Sequence, residues 1–159
     1  MITNISPSLL DEAAEIYSIS WMDSHKNVCS SVFLSEHTPS FMKRKIEREI
    51  ESGWEYYISL SPFPSGIVSI KGNEISSLYV LPSMERKGIG GELLSFAEEK
   101  TGPKCFLWCR KENTKAMIFY LNRGYIIEEE KVINAAMTEV KLIKFQSPRE
   151  EKNSSTSIL

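Results

Sequence analysis

Apolar positions recur at intervals of three and four in two stretches near the amino end. Leu9, Ala13, Ile16, Tyr17 and Trp21 follow Ser6-Pro7-Ser8, and this spacing predicts a helix over about Ser8 to Met22, with a serine cap and a proline in the first turn. Thr38-Pro39 opens a second helix with Phe41, Met42, Ile46 and Ile50 on one face and Gly53 as the stop. Lys43 with Glu47 and Lys45 with Glu49 form i,i+4 pairs on its wet side. Between the two, Asp23 to His37 carries both histidines without a clear period and is left unassigned.

The period then changes to short aromatic and β-branched runs. Trp54–Leu60, Gly66–Lys71 and Glu74–Leu81 read as strands, separated by Ser61-Pro62-Phe63-Pro64-Ser65 and by the turn Lys71-Gly72-Asn73. In the third, alternation places Ile75, Ser77 and Tyr79 on one face and Ser76, Leu78 and Val80 on the other. A glycine-bearing loop leads to a helix over about Gly90–Lys100, stopped by Gly102-Pro103. Cys105–Cys109 reads as a buried strand, Asn113 or Thr114 caps a helix through Leu121, and Tyr125–Glu130 and Met137–Phe145 close the pattern. Strand-helix-strand crossovers demand parallel pairing and short turns antiparallel pairing, so the expectation is an α/β (α+β) domain, a mixed sheet with helices on both faces. Residues 1–146 are expected to form one domain, and the charged, serine-rich Ser147–Leu159 a flexible tail.

Length and composition narrow the classes. A chain of 159 residues and 18.1 kDa suits one domain, and 42% hydrophobic with 25% charged residues is ordinary globular composition. A net charge of −2 and a pI near 5.8 give no general field for polyanions, so no nucleic-acid or membrane partner is expected. Cys29, Cys105 and Cys109 form no CxxC pair and leave one over, which favours a reducing compartment. With no signal-peptide pattern and no apolar span, the cytoplasm is the expected location. No metal site is expected, and Cys105 and Cys109 read as small buried hydrophobes.

Chemistry concentrates in Val80-Leu-Pro-Ser-Met-Glu-Arg-Lys-Gly88-Ile-Gly90-Gly91-Glu-Leu-Leu94, a strand, a loop with three glycines and a helix. Glycines let a ligand approach the backbone, and the free N–H groups of a helix start hold phosphate oxygens, so the loop is a candidate anion cradle. Its spacing is neither GxGxxG nor GxxxxGK[ST], which disfavours dinucleotide and P-loop ligands, leaving another nucleotide as a distant alternative.

Leu78-Tyr-Val-Leu-Pro82 followed by Arg86-Lys-Gly-Ile-Gly-Gly91 and Leu93-Leu94 resembles motif A of the GNAT (Gcn5-related N-acetyltransferase) superfamily, and Asn113-Thr-Lys-Ala116-Met-Ile-Phe119-Tyr120-Leu-Asn-Arg-Gly124-Tyr125 resembles its motif B. The resemblance covers about Glu74 to Tyr125, in the family's order. It implies a mostly antiparallel sheet of six to seven strands and an acetyl-CoA-dependent N-acetyltransferase. Leu78, Tyr79 and Val80 would hold the acetyl carbonyl and pantetheine through their backbone, while Arg86, Lys87, Gly88, Ile89, Gly90 and Gly91 would cradle the pyrophosphate. Asn113 would bind the cofactor or serve as a plain cap, and Tyr120 matches the family's general acid. Two positions depart from the pattern. Glu85 stands where the family commonly has Gln or Arg, and Trp108 stands where some members carry a basic glutamate.

A base is still needed, because a protonated amine is not a nucleophile. Glu74 is the leading candidate, Glu112 a weaker one, and His25 and His37 could serve if their segment covers the cleft. For the acceptor, a primary amine of a small molecule or peptide, the resemblance points to the N-terminal helices and the last strands, and Trp21, Ser24, His25, Phe33 and His37 are the candidate pocket residues. A catalytically inactive acyl-CoA-binding sensor is the alternative, and a homodimer is kept open.

Overall fold

The computed structural model describes residues 1–147, so the tail expected from Ser147 lies, after that residue, outside the described residues. The elements are β1 Ile2–Asn4, α1 Leu10–His25, α2 Ser31–Ser35, α3 Pro39–Glu51, β2 Glu55–Ser59, β3 Gly66–Lys71, β4 Glu74–Val80, α4 Ile89–Lys100, β5 Lys104–Arg110, α5 Thr114–Leu121, β6 Ile126–Asn134 and β7 Met137–Phe145. Short 3-10 turns at Pro7–Leu9 and Pro82–Met84 follow the prolines that the sequence places there. Thr38 caps α3 by accepting from the Phe41 N–H at 3.2 Å. Lys45 pairs with Glu49 as expected, but Lys43 reaches Asp11 on α1 at 2.9 Å instead of Glu47.

The strands form one sheet in the order β1-β2-β3-β4-β5-β7-β6, antiparallel except between β4 and β5. The two faces carry separate cores. One buries Val68, Ile70, Ile75, Leu107, Val140 and Leu142 under Leu93, Leu94 and Ala97 of α4 and Met117 of α5. The other packs Tyr56, Ile58 and Ile67 against Ala13, Ile16 and Tyr17 of α1 and Met42 and Ile46 of α3. Burying such side chains contributes about 1.5–3 kcal/mol each, which is what holds α1 and α4 on opposite sides of one sheet.

Simple alternation fails in β4. Ile70 pairs Ile75 and Ser69 pairs Ser76, but Ile67 pairs Tyr79, so β4 carries one residue more than β3 across the same interval. This is a β-bulge, and Ser77 within it has φ +48°. The extra residue reverses the pleat, which puts Ile75 in the same core as Leu78 and Val80 rather than on the face of Ser77 and Tyr79. It also turns β4 away from β5. Among the described residues the parallel ladder between these neighbours is confined to Glu74 with Phe106.

Gly66 sits where α4 crosses β3. A Cβ there would lie 2.7 Å from Leu93 Cδ1, 3.1 Å from the Tyr79 carbonyl oxygen and 3.3 Å from Ile89 Cγ2. Gly66→Ala is therefore expected to destabilise the fold by about 1–3 kcal/mol, seen as a Tm lower by several degrees in calorimetry.

Candidate active site

The gap between β4 and β5 opens into two adjoining cavities. The larger, of about 460 Å³, runs from β4 past the glycine loop to α5, and is lined by Leu78, Tyr79, Val80, Arg86, Gly88, Gly90, Gly91 and Asn113 among others. The smaller, of about 220 Å³, lies deeper along β5 beside Ser24 and His25. Both share Ser24, Leu78, Tyr79, Asn113, Ala116 and Tyr120 as walls.

The cradle is built as a bare backbone surface. Gly88 takes φ +86°, which a Cβ would strain, and it starts α4 without a side-chain cap. After Glu85, the next N–H to meet a backbone carbonyl is that of Glu92 in α4, on Gly88 at 3.0 Å, and the N–H groups of Arg86 to Gly91 make no backbone hydrogen bond among the described residues. These donors at a helix start fit an anion. A Cβ on Gly90 would come within 3.6 Å of Val80 and 3.7 Å of Phe119, so the absent side chain keeps this wall open.

The resemblance-based residues divide here. Lys87 is exposed and Ile89 is buried in the α4 core, and neither lines the cleft, while the other cradle and β4 residues do. Arg123 was not foreseen. Its guanidinium stacks on Phe119 at 3.8 Å and would lie 3.0 Å from a Cβ on Gly91, so a cation stands beside the cradle. Glu85, the acid next to the loop, is ion-paired with Lys115 of α5, which offsets its charge across the cleft mouth.

Asn113 caps α5 by accepting from the Ala116 N–H at 3.2 Å while also lining both cavities. Tyr120, on the inner face of α5, meets Phe119 and Tyr125 edge-on at 5.2 and 5.6 Å. Burial, with Cys109 nearby, pushes its phenol well above the ordinary range, so it holds its proton at neutral pH. Burial likewise pushes the Cys109 thiol up to about 11, which leaves this cleft-lining sulfur a poor nucleophile.

Glu74 is elsewhere. It stands at the end of β4 opposite Val80, roughly 20 Å away at ~3.3 Å per residue, and lines neither cavity. Burial raises its carboxyl, opposed by Lys141 and Lys71, and its neighbour Ile75, not Glu74 itself, lines the smaller cavity. Glu112, the weaker alternative, accepts from the Thr138 N–H at 3.0 Å, so its carboxylate already has a structural task.

The unassigned segment continues α1 through His25 and then forms α2, whose cap Ser30 accepts from the Phe33 N–H at 3.2 Å. Trp21 is sandwiched between His25 at 4.0 Å and His37 at 3.7 Å, with Phe33 against His37 at 4.8 Å. Of the five expected acceptor residues, Ser24 and His25 line a cavity, whereas Trp21, Phe33 and His37 form the stack behind them. His25 Nδ1 lies 2.8 Å from the Trp21 carbonyl oxygen. That contact assigns the proton to Nδ1 and leaves Nε2 basic. Burial holds the imidazole below its ordinary range, the Trp21 contact opposes this, and the charges of Arg110 and His37 lower it further. Ser77 in the bulge is held by Tyr17 at 3.2 Å and Tyr56 at 3.4 Å, the kind of surrounding support that a strained residue needs.

The chain is similar to known proteins over part or most of its length. Residues 57–125 match the model of the Acetyltransferase (GNAT) family. A probable N-acetyltransferase of Mycobacterium tuberculosis is 28% identical over 106 residues, which is 61% of this chain and 57% of that protein, so the chain spans little more than half of the relative's length. Among solved structures, a GCN5-related N-acetyltransferase of Rhodopseudomonas palustris aligns with a TM-score of 0.74 at 19% identity over 91% of this chain and 94% of that one. The PaiA N-acetyltransferase of Thermoplasma acidophilum, solved in complex with coenzyme A, aligns with a TM-score of 0.70 at 18% identity over 91% and 98% of the two chains. At these identities the structural matches speak for the fold.

Proposed function

We propose that this chain, which is similar to the GNAT acetyltransferase family over residues 57–125, transfers the acetyl group of acetyl-CoA to a primary amine by direct attack within a ternary complex. One observation carries the reading: the glycine cradle, the freed edge of β4 and the protonated Tyr120 face one continuous cleft. Acetyl-CoA supplies the activated thioester, whose carbonyl carbon bonds to the amine nitrogen as the carbon-sulfur bond breaks.

The chain's own groups take the remaining tasks. Backbone N–H groups from Arg86 to Gly91, with Arg123 beside them, hold the pyrophosphate. The backbone of Leu78 to Val80, unpaired toward β5, offers hydrogen bonds to the thioester carbonyl and the pantetheine arm. Tyr120 gives its phenolic proton to the departing sulfur. His25 replaces Glu74 as the base, since its neutral imidazole lines the acceptor cavity and can take the ammonium proton at Nε2. A poorly nucleophilic Cys109 favours direct attack over an acyl-enzyme.

Thiol release from acetyl-CoA across a panel of amines tests this reading, with turnover expected for at least one of them and none expected from a sensor. The pH profile tests the base. Since the folded His25 value lies below about 6.5, kcat/KM should hold at neutral pH and fall as acid protonates the imidazole. His25→Gln should remove that limb and flatten the profile between about pH 5 and 7, whereas an unchanged limb would assign the base elsewhere.

A further inference from the structure

The smaller cavity holds one cation whose donors are not spent. Arg110, the last residue of β5, donates from Nη2 to the Ser24 carbonyl oxygen at 2.8 Å. Its Nε and Nη1 carry almost no accessible surface and have no hydrogen-bond partner among the described residues, so a ligand in the cavity meets them only when the side chain turns toward it. A buried guanidinium with orphaned donors is costly unless an anion meets it. Yet none of the described ion pairs includes Arg110.

The surroundings say which kind of anion. Glu139 of β7 is the cross-strand partner of Arg110 and lines the same cavity, but forms no ion pair with it. The cavity thus offers both signs of charge, which suits a zwitterion better than a polyamine, whose cations Arg110 would repel. At about 220 Å³ it is below the ~300–1,000 Å³ of sites for drug-sized ligands, so the occupant is small. Its walls include Leu78, Tyr79 and Tyr120, which also line the larger cavity, so an amine held here would stand beside the acetyl group.

We propose that Arg110 is the receptor for a carboxylate on the acceptor, and that the amine acetylated by this protein is a small amino acid. This rests on the acetyl-transfer reading above, because the cavity is assigned to the acceptor by that reading. In it, the acceptor's carboxylate satisfies the orphaned guanidinium, Glu139 attracts its ammonium group, and Arg110 acts as a specificity residue that touches substrate without entering the proton transfers.

The test uses the full chain with saturating acetyl-CoA and matched acceptor pairs: alanine with ethylamine, phenylalanine with phenethylamine, methionine with its decarboxylated amine. Thiol release is followed for each, and binding of the same compounds is measured by calorimetry with CoA present. In at least one pair the amino acid should exceed its decarboxylated partner in kcat/KM by about 30-fold or more, carried mainly by KM. Arg110→Met should collapse that ratio by raising KM for the amino acid far more than for its decarboxylated partner, and Arg110→Lys should keep part of it. Decarboxylated amines serving as well as the amino acids in every pair would overturn the proposal, as would an unchanged ratio in Arg110→Met. The wild-type comparison stands even if the variant misfolds. If no compound releases thiol but amino acids bind in an Arg110-dependent way, the carboxylate site holds and the transferase reading fails. If carboxylate-dependent binding is absent, the site fails, and the transferase reading is judged separately by turnover of the plain amines.

Discussion

Tyr120→Phe is expected to lower kcat by about 10²-fold or more while leaving acetyl-CoA affinity nearly unchanged. The substitution deletes one oxygen and keeps the ring that packs edge-on against Phe119 and Tyr125, so the cleft wall survives. Under the proposed mechanism, what is lost is the proton donor at the departing sulfur. Burial keeps that phenol protonated across neutral pH, and no described hydrogen bond engages its hydroxyl, which leaves the group available to a ligand. Single-turnover kinetics with calorimetric binding of acetyl-CoA separate the two effects. Full turnover in Tyr120→Phe would remove the acid role from this residue, while equal losses of binding and rate would mean that the ring had moved.

Gly90→Glu is expected to weaken acetyl-CoA binding by at least ~100-fold with the fold intact. Gly90 lies at the start of α4, where free N–H groups form the cradle, and faces Val80 and Phe119 across the cleft. A glutamate would both fill that space and set a negative charge against the pyrophosphate, and like charges brought together cost several kcal/mol. Gly90→Ala is the control. Its Cβ would meet those neighbours at 3.6 and 3.7 Å, ordinary contact distances, so it should bind nearly as well as wild type. Circular dichroism of both variants distinguishes a blocked cradle from a damaged helix. Comparable affinity in Gly90→Glu would place the phosphates away from this loop.

Most of the architecture was legible because its boundaries are made of residues with one meaning. Prolines at 39 and 82, glycines at 53, 72 and 124, and caps at Thr38 and Asn113 mark the ends of elements within a residue or two of where they fall. What could not be read was set by pairing. β1 has three residues, too few to show alternation, and exists because Ile2, Thr3 and Asn4 find partners on β2. The bulge at Ser77 leaves no mark in the hydrophobic pattern, yet it reverses the pleat of β4 and opens the cleft.

The site divides in the same way. Gly88, Gly90, Gly91 and Tyr120, which line the larger cavity, are read from a continuous motif, since backbone donors and a helix face are local properties. Arg110 and Glu139 carry no local signal, because their place in the cleft comes from the pairing of β5 with β7, while Arg123 lies in the turn after α5. Glu74 was drawn from its motif neighbourhood, although strand rise alone sets it far from Val80. His25 entered only as a conditional base, and the condition is met because α1 runs three residues past Met22 and carries it to the cavity wall.

Calorimetric titration of the purified chain with acetyl-CoA, with ATP and NAD as controls, tests the central claim most directly. The account predicts saturable one-to-one binding of acetyl-CoA in the micromolar range and little or no heat from either control. An absence of acetyl-CoA binding, or equal binding of all three, would contradict it.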